Sequence, residues 1–311
     1  MAYPPGGSVV TQIEVQRERR FAGYNTRSVP LVYPGQEVLP DQPVIRLEPG
    51  KPASQDQPGE PDVPIIPAGL RGQVVETTSR GGVVIKTRAA VLAGNIGAGQ
   101  QAAGVLTLWQ TARAQPAPVP PGAILAIAGP VDFALLRQAA ASGVVGIVAS
   151  SIETRDLEGF LGVDMFDLLN SIDIDMAQAR LPSPTLLFTE GFGALPMPES
   201  TFQLLSRYQG SIALISGVTS TRYTIYPELI ISLPIEEAQR NWQPPALDAG
   251  LRLGAHVRVC AGMHAGVTGY IEHFFVYQQN FLSGVLGRAA RLRLADDSRL
   301  IVPIMNIERI P

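Results

Sequence analysis

The chain has 311 residues, 46% of them hydrophobic and 16% charged, with a formal net charge of −3. That length exceeds what one compact core usually organises, so two or three domains are expected. The net charge argues against a surface built throughout for nucleic acid, and 31 glycines with 27 prolines exclude an all-helical fold in favour of turns and short strands.

Residues 1–23 are expected to form an N-terminal arm. Its opening, Met1-Ala2-Tyr3-Pro4-Pro5-Gly6-Gly7, has neither the basic nor the apolar run of a signal peptide. No apolar stretch approaches the ~20 residues a membrane helix needs, so membrane insertion is not expected. A single cysteine, Cys260, precludes an internal disulfide framework and a thiolate metal site within one chain. A cytoplasmic, reducing location is therefore expected, with secretion by a route lacking a classical signal left open.

From 24 to 114 the pattern is all-β. Apolar runs at 30–32 and 44–47 flank the turn signal Tyr33-Pro34-Gly35-Gln36-Glu37, and runs at 72–77 and 83–87 flank Arg80-Gly81-Gly82. The phrases PGQEVLPDQPVIRLE and RGQVVETTSRGGVVIKT resemble the barrel-sandwich hybrid of lipoyl- and biotinyl-type domains. Such a carrier displays its lysine at a hairpin tip. Lys86 lies instead inside Val-Val-Ile-Lys-Thr and reads as a solvent-facing strand residue, so no cofactor is expected. The glycine-rich run Gly94-Asn95-Ile96-Gly97-Ala98-Gly99 lacks the strand-to-helix setting of a dinucleotide fingerprint and reads as a loop. No phosphate-loop lysine motif occurs. Proline-rich breaks at 49–64, 115–122 and 243–248 mark exposed loops or stiff spacers.

From 122 to 242, apolar strands alternate with helical patterns: strands at 123–128, 144–149, 184–189 and 211–216, and helices at 132–142 and 199–208. Asp132 and Ser200 read as helix caps. Near-continuous apolar strands joined by helices imply a mainly parallel sheet. The phrase GPVDFALLRQAAASGVVGIVAS resembles the swivelling β/α and protease-associated-like domains, a likeness that implies fold alone.

From 250 to 311 the reading is an SH3-like barrel. His256-Val257-Arg258-Val259-Cys260 alternates, glycines follow, and a second strand begins near Val267. Val257, Val259, Gly262, Gly266, Gly269 and Ile271 resemble the KOW motif of NusG-type elongation factors and several ribosomal proteins. Two further strands flank the turn Ala295-Asp296-Asp297-Ser298, and Asn306-Ile307-Glu308 closes the barrel. The fold class is thus multi-domain and β-rich: a barrel-sandwich-like β domain, a parallel-sheet α/β domain and a C-terminal SH3-like barrel.

Candidate sites follow from placement. Ligands favour the C-terminal ends of parallel strands, which here carry Gly129, Asp132, Ser150, Ser151, Thr189, Glu190, Gly191 and 219–222. Among these, Thr189, Glu190 and Arg222 are the candidates for a small anion. No nucleophile elbow or histidine partner completes a catalytic set, and the spacing of His256, His264 and His273 fits no compact metal motif, so no metal is expected. Arg258, Arg288, Arg291, Arg293 and Arg299 are nucleic-acid candidates, while Tyr270, Phe274, Phe275, Tyr277 and Phe281 are candidates for protein contact. The favoured expectation is a non-enzymatic structural or interaction protein presenting small domains to itself or to a larger assembly. The alternatives are an RNA-, ribosome- or polymerase-associated factor, and a small-ligand sensor or enzyme built on the α/β segment.

Overall fold

The computed structural model describes residues 9–23, 26–49, 64–109, 119–242, 250–282, 284 and 286–309. The proline-rich stretches at 50–63, 115–118 and 243–248 lie outside the described residues. The protein is β-rich and forms two compact units, a larger one at Thr11–Pro244 and a smaller one combining Met1–Val10 with Pro245–Pro311.

The larger unit takes β1 (Val9–Arg19) from Thr11 onward and continues with β2 (Thr26–Pro30), β3 (Glu37–Val38), β4 (Pro43–Pro49) and β5 (Ile65–Pro67). It continues with β6 (Gly72–Thr77), β7 (Val83–Ala93), β8 (Ile96–Ala98) and β9 (Ala102–Trp109). Next come β10 (Ala123–Ile127), α1 (Phe133–Ala141), β11 (Gly146–Ile152), α2 (Thr154–Leu161), α3 (Met165–Leu169) and α4 (Ile174–Ala179). Then follow β12 (Thr185–Phe192), α5 (Glu199–Arg207), β13 (Ile212–Ser216), β14 (Glu228–Ser232) and α6 (Ile235–Ala238).

Most of these strands enter one mixed sheet in the order β3-β6-β7-β14-β13-β9-β10-β11-β12-β8, with β1 also pairing β7. Strands β9 to β12 run parallel, whereas β8, β13 and β14 pair antiparallel to their neighbours. Strands β2, β4 and β5 make a separate small sheet.

This arrangement differs from the sequence reading in three places. The expected arm contains β1, whose inward positions are Val15, Arg17 and Arg19 and so hide a strand pattern behind two arginines. The expected border between 24–114 and 122–242 does not separate two sheets, because β9 from one side pairs in parallel with β10 from the other. An apolar strand such as β10, buried at every position, needs a hydrogen-bonded neighbour on both edges, and β9 supplies one. The glycine run at 94–99 is partly strand: β8 pairs with β12, and a Cβ on Gly97 would come within 2.5 Å of Leu186 O.

The core under the parallel strands gathers Leu125, Ile127, Ile147, Leu186 and Phe188 with Leu136 of α1 and Leu157 of α2. Helix α1 starts where expected, because the Asp132 carboxylate accepts the Leu135 amide at 2.8 Å. Ser200 is not a cap; α5 starts after Pro198, and no side chain caps it. Lys86 lies within β7, half-exposed, and pairs with Glu14 at 2.9 Å.

The smaller unit contains β15 (His256–Val259), β16 (Thr268–Phe274), β17 (Gln279–Asn280), β18 (Leu286–Gly287), β19 (Ala289–Arg293), β20 (Arg299–Pro303) and β21 (Ile307–Arg309). Five of them form an antiparallel sheet in the order β20-β19-β16-β15-β21. Its core is Val257, Val259, Ile271, Ala290, Leu292 and Val302. No helix among the described residues is long and apolar enough to cross a membrane.

Candidate functional site

In the smaller unit, alternation along β15 sends Val257 and Val259 into the core and leaves Arg258 on the opposite face. The loop that follows closes through Gly266 N to Val259 O at 2.7 Å and Val259 N to Val267 O at 2.8 Å. Gly262 and Gly266 hold φ of 85° and 89°, a conformation that suits glycine. Gly269 serves a different need: a Cβ there would stand 2.8 Å from Arg293 O on the adjacent strand.

The five arginine candidates do not form an open basic face. Arg258 is only 5% exposed and donates Nε to Glu308 Oε1 at 2.7 Å, with a second contact from its Nη2. Arg291 and Arg299 converge on Glu272, at 2.9 and 3.0 Å. Arg293 lies 3.6 Å from Asp297, and Arg288 is exposed. The Arg299 guanidinium, with Arg291 beside it, holds the Glu272 carboxyl below its ordinary value. Charges neutralised this way contribute little long-range field for steering a polyanion.

The aromatic candidates behave differently from one another. Tyr270 stacks on His256 with centroids 4.7 Å apart, and Phe275 meets His273 edge to face. Phe274 packs partly on the core, and Phe281 is half-buried. Beyond them the chain leaves the five-stranded sheet in an excursion tied by the short β17–β18 ladder, Gln279 opposite Gly287 and Asn280 opposite Leu286. On this excursion Val276 is 87% exposed, Tyr277 82% and Leu282 100%, and Leu286 is open as well. These open apolar side chains lie close together in sequence.

In the larger unit, the ends of the parallel strands do hold a cleft, of about 590 Å³. Its lining includes Asp132, Glu153 and Asp156 and no arginine or lysine, so it repels anions. None of Thr189, Glu190 and Arg222 lines it. Thr189 is 1% exposed, and Arg222 stands open on the turn between β13 and β14, where Thr221 N donates to Leu169 O at 3.1 Å. Ser151 is used internally, its hydroxyl donating to Leu195 O and accepting from Leu195 N.

A second concavity went unnoticed in the sequence. Arg20, Arg27 and Arg80 line a pocket with Asp175. The cue available was the basic cluster Arg17-Glu18-Arg19-Arg20, but nothing local reveals that Arg80 and Asp175 join it. Compared with known proteins, the chain matches no family model, no curated protein and no solved structure.

Proposed function

We propose that this is a non-catalytic interaction protein whose smaller unit is an SH3-like barrel of the KOW type, docking through its apolar excursion onto a protein, either another copy of itself or a member of a larger assembly. The observation that carries the reading is the near-complete exposure of Val276, Tyr277 and Leu282 on one short segment. Left in water, apolar area of this kind forgoes roughly 25 cal/mol per Å² that a partner would recover. Tyrosine and other large apolar groups at the centre of a contact supply most of its affinity.

The barrel assignment draws support from the five-strand antiparallel order and the glycine-closed loop after β15. The pairing of Arg258, Arg291, Arg293 and Arg299 with carboxylates favours a protein partner over RNA. A non-catalytic role fits the duty of Asp132, which caps α1, as Asp164 and Asp173 cap α3 and α4. Light scattering over a concentration series tests self-docking. A mass rising above 33.2 kDa supports it when Val276→Ser with Tyr277→Ser abolishes the rise. An unchanged rise in that variant removes the excursion from the contact.

A further inference from the structure

A pocket of about 530 Å³ lies within the larger unit, among four stretches distant in sequence: the segment after β1 (Arg20, Phe21), strand β2 with Arg27, the β6–β7 hairpin with Arg80, and Asp175 of α4. That volume falls in the range of small-molecule sites. The hairpin reaches β2 because residue 81 is glycine. Its φ is +80°, and a Cβ would come 2.1 Å from Ser28 O. The approach brings Arg80 into a lining that also includes Arg20 and Arg27.

The pocket shows how it would hold an anion, since Asp175 already sits between two of its arginines. Arg20 grips that carboxylate with a fork, Nη1 to Oδ2 at 3.0 Å and Nη2 to Oδ1 at 2.6 Å. Arg80 reaches it only loosely, at 3.8 Å, with its side chain 81% exposed. Three arginines thus share the lining with one carboxylate, an excess of positive charge there. Of the nearby acids, Glu18 accepts from Thr78 Oγ1 at 2.8 Å, and Glu48, opposite Arg27 in register, accepts Nε and Nη2 of Arg46 on its Oε1. Hydroxyl-bearing Ser79 and apolar Phe21, Pro30 and Met176 complete the wall.

We propose that this pocket binds a small phosphate monoester, its phosphate between Arg80 and Arg27 and its organic body against Phe21 and Met176. A monoester carries about two negative charges at neutral pH, which matches the excess in the lining, and a guanidinium fork suits phosphate oxygens. The site lies in the larger unit and stands independently of the docking excursion.

Calorimetry on the full chain with AMP, inorganic phosphate and adenosine as probes tests it. AMP is expected to bind one to one, phosphate more weakly, and adenosine not at all. Arg80→Ala and Arg27→Ala, both at exposed positions, should each weaken AMP by about fivefold. Asp175→Asn should tighten it by about the same factor, because it removes the competing carboxylate. Absence of saturable binding by AMP and by phosphate would overturn the proposal. So would AMP binding that the arginine variants leave unchanged, or that Asp175→Asn weakens.

Discussion

Arg17 on β1 sends two parallel hydrogen bonds to Glu228 on β14, Nε to Oε1 at 2.7 Å and Nη2 to Oε2 at 3.0 Å, across 211 positions of sequence. Both strands pair with β7, so the contact ties the first strand of the larger unit to its last. The side chains are 17% and 15% exposed. Removing one partner strands a charge in a poorly solvated place, and Arg17→Ala is expected to cost about 3 kcal/mol. Arg17→Met combined with Glu228→Leu should recover most of that loss, since both charges leave together. Urea denaturation of the three variants checks the pair. Equal losses in the single and double variants would mean that the strands depend on the packing of these side chains and not on their charge.

Arg19, two residues on, is a buried cation of another kind. It is 3% exposed, and its guanidinium donates to Pro67 O, Gln101 O and Gln101 Oε1 at 3.1 to 3.3 Å. Burial among carbonyl acceptors pulls its pKa down to about 10. Arg19→Ala leaves those carbonyls without their donor and is expected to destabilise the larger unit by about 2 kcal/mol, again read by denaturation.

Glycine positions separate two physical costs. Gly266→Ala meets nothing within 4 Å and is strained only by its φ of +89°, so a loss of about 1 kcal/mol is expected. Gly81→Ala adds a collision with the Ser28 carbonyl to a comparable φ. Its loss should exceed that of Gly266→Ala and should also weaken any anion bound beside Arg80. Thermal melts of the two variants give the ordering.

Glu272 provides a pH test in the smaller unit. Its hydrogen bond from Arg299 lowers the carboxyl from the ordinary value of 4.5. A carboxyl depressed in the folded state adds stability above its unfolded pKa, and loses that contribution as the pH falls through the folded one. Carbon-13 titration should therefore place the Glu272 midpoint below 4.5, and Arg299→Ala should move it upward. A midpoint unmoved by that substitution would show that the pairing does not hold in solution.

How much of this was legible in the sequence depended on the range of the interaction. Elements set by near neighbours were readable: the apolar runs of β10 and β11, α1 with Asp132 at its start, and the glycines at 262 and 266. Elements set by distant partners were not. Alternation placed Arg258 on an outward face, but Glu308, fifty residues later, covers and neutralises it. Strand β1 hid because its buried face carries Arg17 and Arg19, whose compensation comes from Glu228 and from carbonyls far along the chain. The arginine pocket escaped for the same reason, being assembled from four separated stretches. A contact surface was read from the aromatic residues Tyr270, Phe274, Phe275, Tyr277 and Phe281. The structure moves the weight from Phe274 and Phe275, which are partly covered, to Val276, Tyr277 and Leu282.

The most direct measurement is photocrosslinking in cells of the source organism, with a photoreactive residue at position 277 and a control at position 132 in the acidic cleft. A protein adduct at 277 and none at 132 is expected, with its mass distinguishing a second copy from another subunit. Absence of any protein adduct at 277, or an adduct pattern identical to that at 132, would contradict docking through the excursion.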